Sequence, residues 1–155
     1  MKQTSQSGAP ETGSLIYSAD QLDQAVDLLW PLFEPGSPEK SKVITLTGSL
    51  GAGKTTLAQA LLRKAGVTGP IQSPTFTYVS VYKVKNLTMY HFDLYRLSSL
   101  QDFVQAGFDE YLYGENSKVL IEWPEIVMPL LTHDVCHVVI DYEGIEKRKL
   151  MYRCV

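Results

Sequence analysis

The chain has 155 residues, 45% of them hydrophobic, a size at which one compact domain buries most of its apolar surface. A formal charge of −3 and a pI near 5.6 exclude a protein that holds nucleic acid by its own field, because phosphate contacts need a concentrated Lys/Arg surface. Any RNA is expected to be gripped by a partner.

Cys136 and Cys154 are too isolated for a disulfide framework or a Cys-x-x-Cys motif, which suits a reducing compartment. No run of about 18 to 20 apolar residues could span a bilayer, and residues 1–13 lack the apolar core of a signal peptide. The expectation is a soluble, cytoplasmic protein with no membrane partner.

Residues 1–13 are polar and rich in Ser, Gly, Thr and Gln, which predicts a loose tail ahead of one domain over 14–155. Residues 14–18 (SLIYS) read as a short strand. Ser18 or Asp20 can then cap a helix whose apolar positions Leu22, Ala25, Val26 and Leu29 recur at helical spacing. Pro31 and the loop 34–41 end it. Val43–Thr47 is β-branched and apolar, the composition of a buried strand. It runs into GSLGAGKTT, and a helix over Lys54–Ala65 follows, stopped by Gly66 and the Gly69-Pro70 pair. Two strands over 76–82 and 87–94, joined by the turn 83–86, read as a hairpin. A helix is expected over 98–113, capped by Ser98 or Ser99 and stopped by Gly114. Residues 119–121 form a buried strand ending on Glu122, and 135–142 and 149–153 complete a β-rich end. Strands alternating with helices, plus a hairpin, indicate an α/β layer sandwich with a mixed sheet.

Residues 48–55 read G-S-L-G-A-G-K-T, a full match to the phosphate-binding loop G-x-x-x-x-G-K-[ST], with a strand before it and a helix after it. Glycines there let backbone N–H groups converge on phosphate oxygens, and the helix start adds partial positive charge. Lys54 would neutralise the β- and γ-phosphates and Thr55 would ligand Mg²⁺. Glu122, at a strand end, can reach that metal directly or through water, the work usually given to a Walker B Asp; its bland alternative is a solvated carboxylate. In HFDLYR, alternation puts His91, Asp93 and Tyr95 on one strand face. Asp93 could orient or deprotonate an attacking water or contact the Mg²⁺ hydration shell; equally it could belong to an ion pair with Arg96 or to a cap. Thr75 in SPTF is either a γ-phosphate sensor or part of a local hydroxyl turn. His133 and His137 have metal-like spacing, but 135–140 reads as a strand, which separates their rings. The basic stretch 147–149 reads as a solvated strand edge.

GSLGAGKTT, SPTFTYV, HFDLYRL and IEWPE occur in the order and approximate spacing of the TsaE (YjeE) family, which the chain resembles over roughly 15–153. The set is specific, since the phosphate loop alone is shared by many enzymes. The resemblance implies a P-loop NTPase three-layer sandwich, its sheet mixed but mostly parallel with helices on both faces. It also implies ATP and Mg²⁺ binding and weak intrinsic ATPase activity. TsaE-like proteins associate with TsaD and TsaB, which carry out threonylcarbamoylation of adenosine 37 in tRNA, and ATP hydrolysis resets that assembly. By motif, Gly51, Ala52, Gly53, Lys54, Thr55 and Thr56 would hold the phosphates, Thr55 and Glu122 the Mg²⁺, and Lys54, Asp93 and Glu122 the catalytic roles. Trp123 would be a nucleotide-proximal or partner-facing aromatic. The chain departs from the family where a Thr often stands in the first helix, offering Asp20-Gln21-Leu22-Asp23, and where Gly-Arg precedes the last strand, offering Glu146-Lys147-Arg148. Arg148 is the expected nucleotide contact there, with Lys147 second.

A small-molecule kinase on the same fold is the main alternative, but it needs an Arg-bearing lid, and only Arg63, Arg96, Arg148 and Arg153 are present. A GTP switch lacks its Asn-Lys-x-Asp motif. A scaffold that binds nucleotide without hydrolysing it is disfavoured by intact Lys54, Thr55, Asp93 and Glu122.

Overall fold

The computed structural model describes residues 10–36 and 40–155. Its strands are β1 (Glu11–Ser18), β2 (Val43–Thr47), β3 (Val79–Val84), β4 (Leu87–Asp93), β5 (Ser117–Glu122), β6 (Val135–Glu143) and β7 (Lys147–Cys154). Its helices are α1 (Leu22–Phe33), α2 (Lys54–Ala65) and α3 (Leu100–Gln105), with short 3-10 turns at Ala19–Gln21, Phe108–Tyr111 and Pro124–Leu130.

The strands form one sheet in the order β1-β7-β6-β2-β5-β4-β3. The centre, β6-β2-β5-β4, is parallel, while β7 runs antiparallel to both β6 and β1, and β3 antiparallel to β4. Strands in the parallel centre are covered on both faces, so their residues are apolar almost throughout and alternate between two cores. Ile44, Leu46, Leu120, Val138 and Ile140 pack against Leu29 and Phe33 of α1 and Leu57 and Leu61 of α2. Val43, Phe92, Val119, Ile121 and Val135 face the other way, onto Phe103 of α3, Leu112 and Val127. Helices therefore cover both faces of a mixed, mostly parallel sheet.

Several elements differ from expectation. Of the loose tail over 1–13, residues 1–9 lie outside the described residues, but Glu11–Ser18 is a strand whose first residues pair with Cys154, Arg153 and Tyr152. A polar segment is ordered here by a sheet edge, not by its own apolar content. Pro31 does not end α1, because Leu32 and Phe33 beyond it are buried and packing outweighs the lost backbone bond. Of the loop 34–41, residues 37–39 lie outside the described residues. The hairpin turn tightens to Lys85-Asn86, with Lys85 at φ 54°. The single helix over 98–113 breaks at Gly107, which takes φ 79° and swings Phe108 into a cluster with Phe92, Phe103 and Tyr111. Ser99, not Ser98, caps α3 by accepting from the Asp102 N–H at 3.1 Å.

One buried charge has a measurable consequence for stability. Lys118 on β5 is buried; its Nζ donates to the Ser41 carbonyl at 2.7 Å and lies 5.4 Å from the Phe33 ring centroid. Burial, reinforced by the nearby Lys42 charge, pulls its pKa down from 10.5 to about 8. Between pH 8 and 10.5 the unfolded chain still holds a proton that the folded chain has released, so this group makes stability rise with pH across that window. In denaturant unfolding, Lys118→Met should flatten that rise relative to the unaltered chain; an identical pH dependence in both would refute the assignment.

Candidate functional site

The loop over 48–53 leaves the carboxyl end of β2 and passes over β6 before turning into α2. Gly48 has φ 151°, and a Cβ there would lie 1.8 Å from the Ile140 carbonyl oxygen, so only glycine permits this approach. Gly53, at φ 105°, sets the left-handed turn into α2. Lys54 opens the helix almost fully buried, and its Nζ donates to the carbonyls of Gly48 and Ser49, both at 2.8 Å. The ammonium also lies 4.1 Å from the Trp123 ring centroid. Burial lowers the Lys54 pKa, while the carboxylates of Glu122, Glu125, Asp93 and Asp141 pull it back up.

Strand register brings the acids to this loop. Asp93 lies opposite Glu122, and Glu122 opposite Leu46, so the carboxyl ends of β4, β5 and β2 form one row. Glu122 is buried, with Oε1 accepting from the Thr55 hydroxyl at 2.5 Å and Oε2 lying 2.7 Å from His91 Nε2. Asp93 Oδ2 accepts from the hydroxyls of Ser73 and Thr75 at 3.2 and 3.3 Å, and Oδ1 accepts from the Tyr95 N–H at 3.1 Å. Immediately after Glu122, Trp123 sits in the left-handed region at φ 57°, a conformation that costs a non-glycine residue about 1–3 kcal/mol. Its N–H donates to the Leu46 carbonyl at 3.3 Å, and its ring meets Tyr95 at a centroid distance of 4.8 Å.

Two cavities flank the loop. One, of about 420 Å³, contains Lys54, Thr55, Ser73, Thr75, Asp93, Arg96, Glu122 and Trp123 in its walls. The other, of about 610 Å³, lies between the start of α1 and the β6–β7 turn, lined by Tyr17, Asp20, Leu22, Gly51, Ala52, Gly53, Thr56, Ile145 and Arg148 among others. The Arg148 Nε–H donates to the Ala52 carbonyl at 3.1 Å and its guanidinium lies 4.2 Å from the Tyr142 ring centroid. Ser49 donates to Asp141 at 2.9 Å, which further ties the loop to the last hairpin.

The residues singled out by motif thus converge on one place. Lys54, Thr55, Glu122, Asp93, Thr75 and Trp123 line the smaller cavity; Gly51, Gly53 and Thr56 border both; Ala52 and Arg148 line the larger. Arg148 faces the loop, whereas Lys147 is exposed. Among the described residues no ion pair joins Asp93 to Arg96, which instead lies 4.7 Å from the Phe76 ring centroid. Tyr95 departs from the shared strand face, because β4 ends at Asp93 and Tyr95 follows in a turn, half exposed. His137 Nδ1 is engaged by the Thr45 hydroxyl at 2.8 Å and His133 stacks on Tyr113, so the two histidines do not meet. Two positions had no sequence signal: the larger cavity needs β1 to pair with β7, and the His91–Glu122 contact depends on register.

Among the described residues no cluster of three or more His, Cys, Asp or Glu could hold a metal. A hydroxyl and a carboxylate in contact are a sparse set of hard oxygen donors, which fits Mg²⁺, a cation that completes its octahedron with phosphate and water. No helix among the described residues is long and apolar enough to cross a membrane.

Comparison with known proteins identifies the family of the chain. The family model described as threonylcarbamoyl adenosine biosynthesis protein TsaE matches residues 19–150. The tRNA threonylcarbamoyladenosine biosynthesis protein TsaE of Rickettsia felis is 39% identical over 113 residues, 72% of this chain and 65% of its own length. That of Bacillus subtilis is 34% identical over 113 residues, 73% of this chain and 70% of its length. The chain thus spans just under two thirds of the Rickettsia relative. A crystal structure of YdiB from Bacillus subtilis superposes with a TM-score of 0.72 at 27% identity, covering 96% of this chain and 89% of that one. With 132 of its residues (19–150) inside one family model, the chain belongs to the TsaE family.

Proposed function

We propose that this protein is a Mg²⁺-dependent P-loop ATPase that supports threonylcarbamoylation of adenosine 37 in tRNA, acting in the cytoplasm in complex with TsaD and TsaB. The observation that carries the reading is the contact of Thr55 with Glu122 beneath the glycine loop, with Lys54 and Asp93 on the same cavity wall. The helix–sheet–helix layering is read as the P-loop NTPase sandwich. The pathway is inferred from the names of the relatives, which are tRNA threonylcarbamoyladenosine biosynthesis proteins.

In this reading the N–H groups of 51–56 bind phosphate oxygens and Lys54 exchanges its two loop carbonyls for phosphate. Thr55 and Glu122 would hold Mg²⁺, which when bound supplies charge neutralisation at the β- and γ-phosphate oxygens. Asp93 is held by Ser73, Thr75 and the Tyr95 N–H, a fixed carboxylate suited to orienting an attacking water. Ser73 and Thr75 belong to the segment that senses the γ-phosphate. The larger cavity, with Tyr17, Leu22 and Ile145 in its wall, would take the base, and Arg148 the adjoining phosphate or sugar. An acidic chain contacts tRNA only through its partners.

ATP hydrolysis should be weak alone and rise on adding TsaB and TsaD. No detectable hydrolysis with both partners present would sink the proposal, and transfer of labelled phosphate to a metabolite instead of water would replace it with the kinase reading. Lys54→Ala should lower kcat/KM by about 10²–10³, the usual cost of one preorganised charge donor. Asp93→Asn should lower kcat by about 10²–10⁴ with nucleotide affinity nearly unchanged; equal losses in kcat and affinity would place Asp93 in binding instead.

A further inference from the structure

Glu122 carries two oxygens and is engaged at both. One accepts from Thr55, and the other lies 2.7 Å from Nε2 of His91, an imidazole with no exposed surface. The second ring nitrogen, Nδ1, is buried without a partner. On the face of β4 that looks toward α2, an apolar side chain would fill this position with no orphaned polar atom, as Met89 does two residues earlier. What the imidazole adds is one hydrogen bond, the Nε2–H donated to Glu122. An ionised carboxylate only accepts, so the proton in this contact is carried by Nε2.

His91 does not line the cavity that holds Lys54, Thr55, Asp93 and Glu122. It can touch neither nucleotide nor water there, and acts only through Glu122. A buried carboxylate held at one oxygen can rotate about its terminal torsion, whereas one held at both has its plane fixed. We propose that His91 is a positioning residue whose Nε2–H locks the plane of Glu122, so that Oε1 is presented to Thr55 as a preformed two-oxygen seat for Mg²⁺. The chemistry is that of an outer-shell partner orienting a metal ligand, with the usual order inverted: here the histidine stands behind the carboxylate. The inference rests on the proposed Mg²⁺ site and adds to it the residue that preorganises it.

Calorimetric titration of ADP into the whole chain, across a series of Mg²⁺ concentrations and in its absence, separates the possibilities. His91→Leu removes the donor; His91→Gln keeps an N–H that can reach Glu122; His91→Asn keeps polarity but is too short. The Mg²⁺ concentration at half effect should rise about tenfold or more in His91→Leu and His91→Asn. It should return to within about threefold in His91→Gln, with ADP affinity without Mg²⁺ the same in all. Should His91→Leu fail to fold, the Asn and Gln pair still decides the matter. In the unaltered protein, the slowly exchanging imidazole N–H proton resonance should shift when Mg²⁺ is added to the ADP complex. An unchanged Mg²⁺ requirement in His91→Asn would overturn the inference while leaving the metal site standing. So would a loss of Mg²⁺-free affinity by the same factor, which would mean general damage. No Mg²⁺ dependence in the unaltered protein would overturn both.

Discussion

The register of β5 between β2 and β4 is the constraint on which the site depends. Pairing Leu46 with Glu122 and Asp93 with Glu122 aligns three strand ends, and sends Glu122, His91 and Asp93 toward α2. A one-residue slip of β5 would turn Glu122 to the opposite face, toward the aromatic cluster of Phe92, Phe103 and Phe108, and away from His91 and Asp93 on β4. The register is fixed because both faces are buried: Val119 and Ile121 fit one core, Leu120 the other. Packing far from any ligand thus sets the position of the groups that would meet one, at the carboxyl ends of parallel strands where open α/β sheets place their crevices.

Charge balance follows from that geometry. The row of acids is buried and faces one buried ammonium, so the loop lysine is stabilised by the same carboxylates whose repulsion it relieves. Lys54 folds back on two carbonyls of its own loop, which satisfies donors that a phosphate would otherwise take. The strained backbone at Trp123 belongs to the same construction. Its left-handed turn places the indole against the Lys54 ammonium and the Tyr95 ring, in the wall of the smaller cavity.

Much of this was legible in the sequence where chemistry is local. The glycine loop, its strand and helix, and the end of that helix at Gly66 follow from φ requirements and capping alone. Glu122 and Asp93 were readable as acids at strand ends, although only the register shows that they adjoin. What the residues did not disclose was non-local. The strand expected over 14–18 begins at Glu11 because β7 offers an edge to the residues before it, and its end builds one wall of the larger cavity. Gly107 looked like an interior helix residue until Phe108 had an aromatic cluster to join. His91 could be placed on a face but not given a partner, since Glu122 is 31 residues away.

The most direct measurement is a crystal structure with a non-hydrolysable ATP analogue and Mg²⁺. The account predicts the metal on Thr55 Oγ1 and on Glu122, directly or through one water, the base between Tyr17 and Ile145, and Asp93 within hydrogen-bond reach of a water beside the γ-phosphate. A nucleotide bound elsewhere, or a metal without either Thr55 or Glu122 around it, would contradict it.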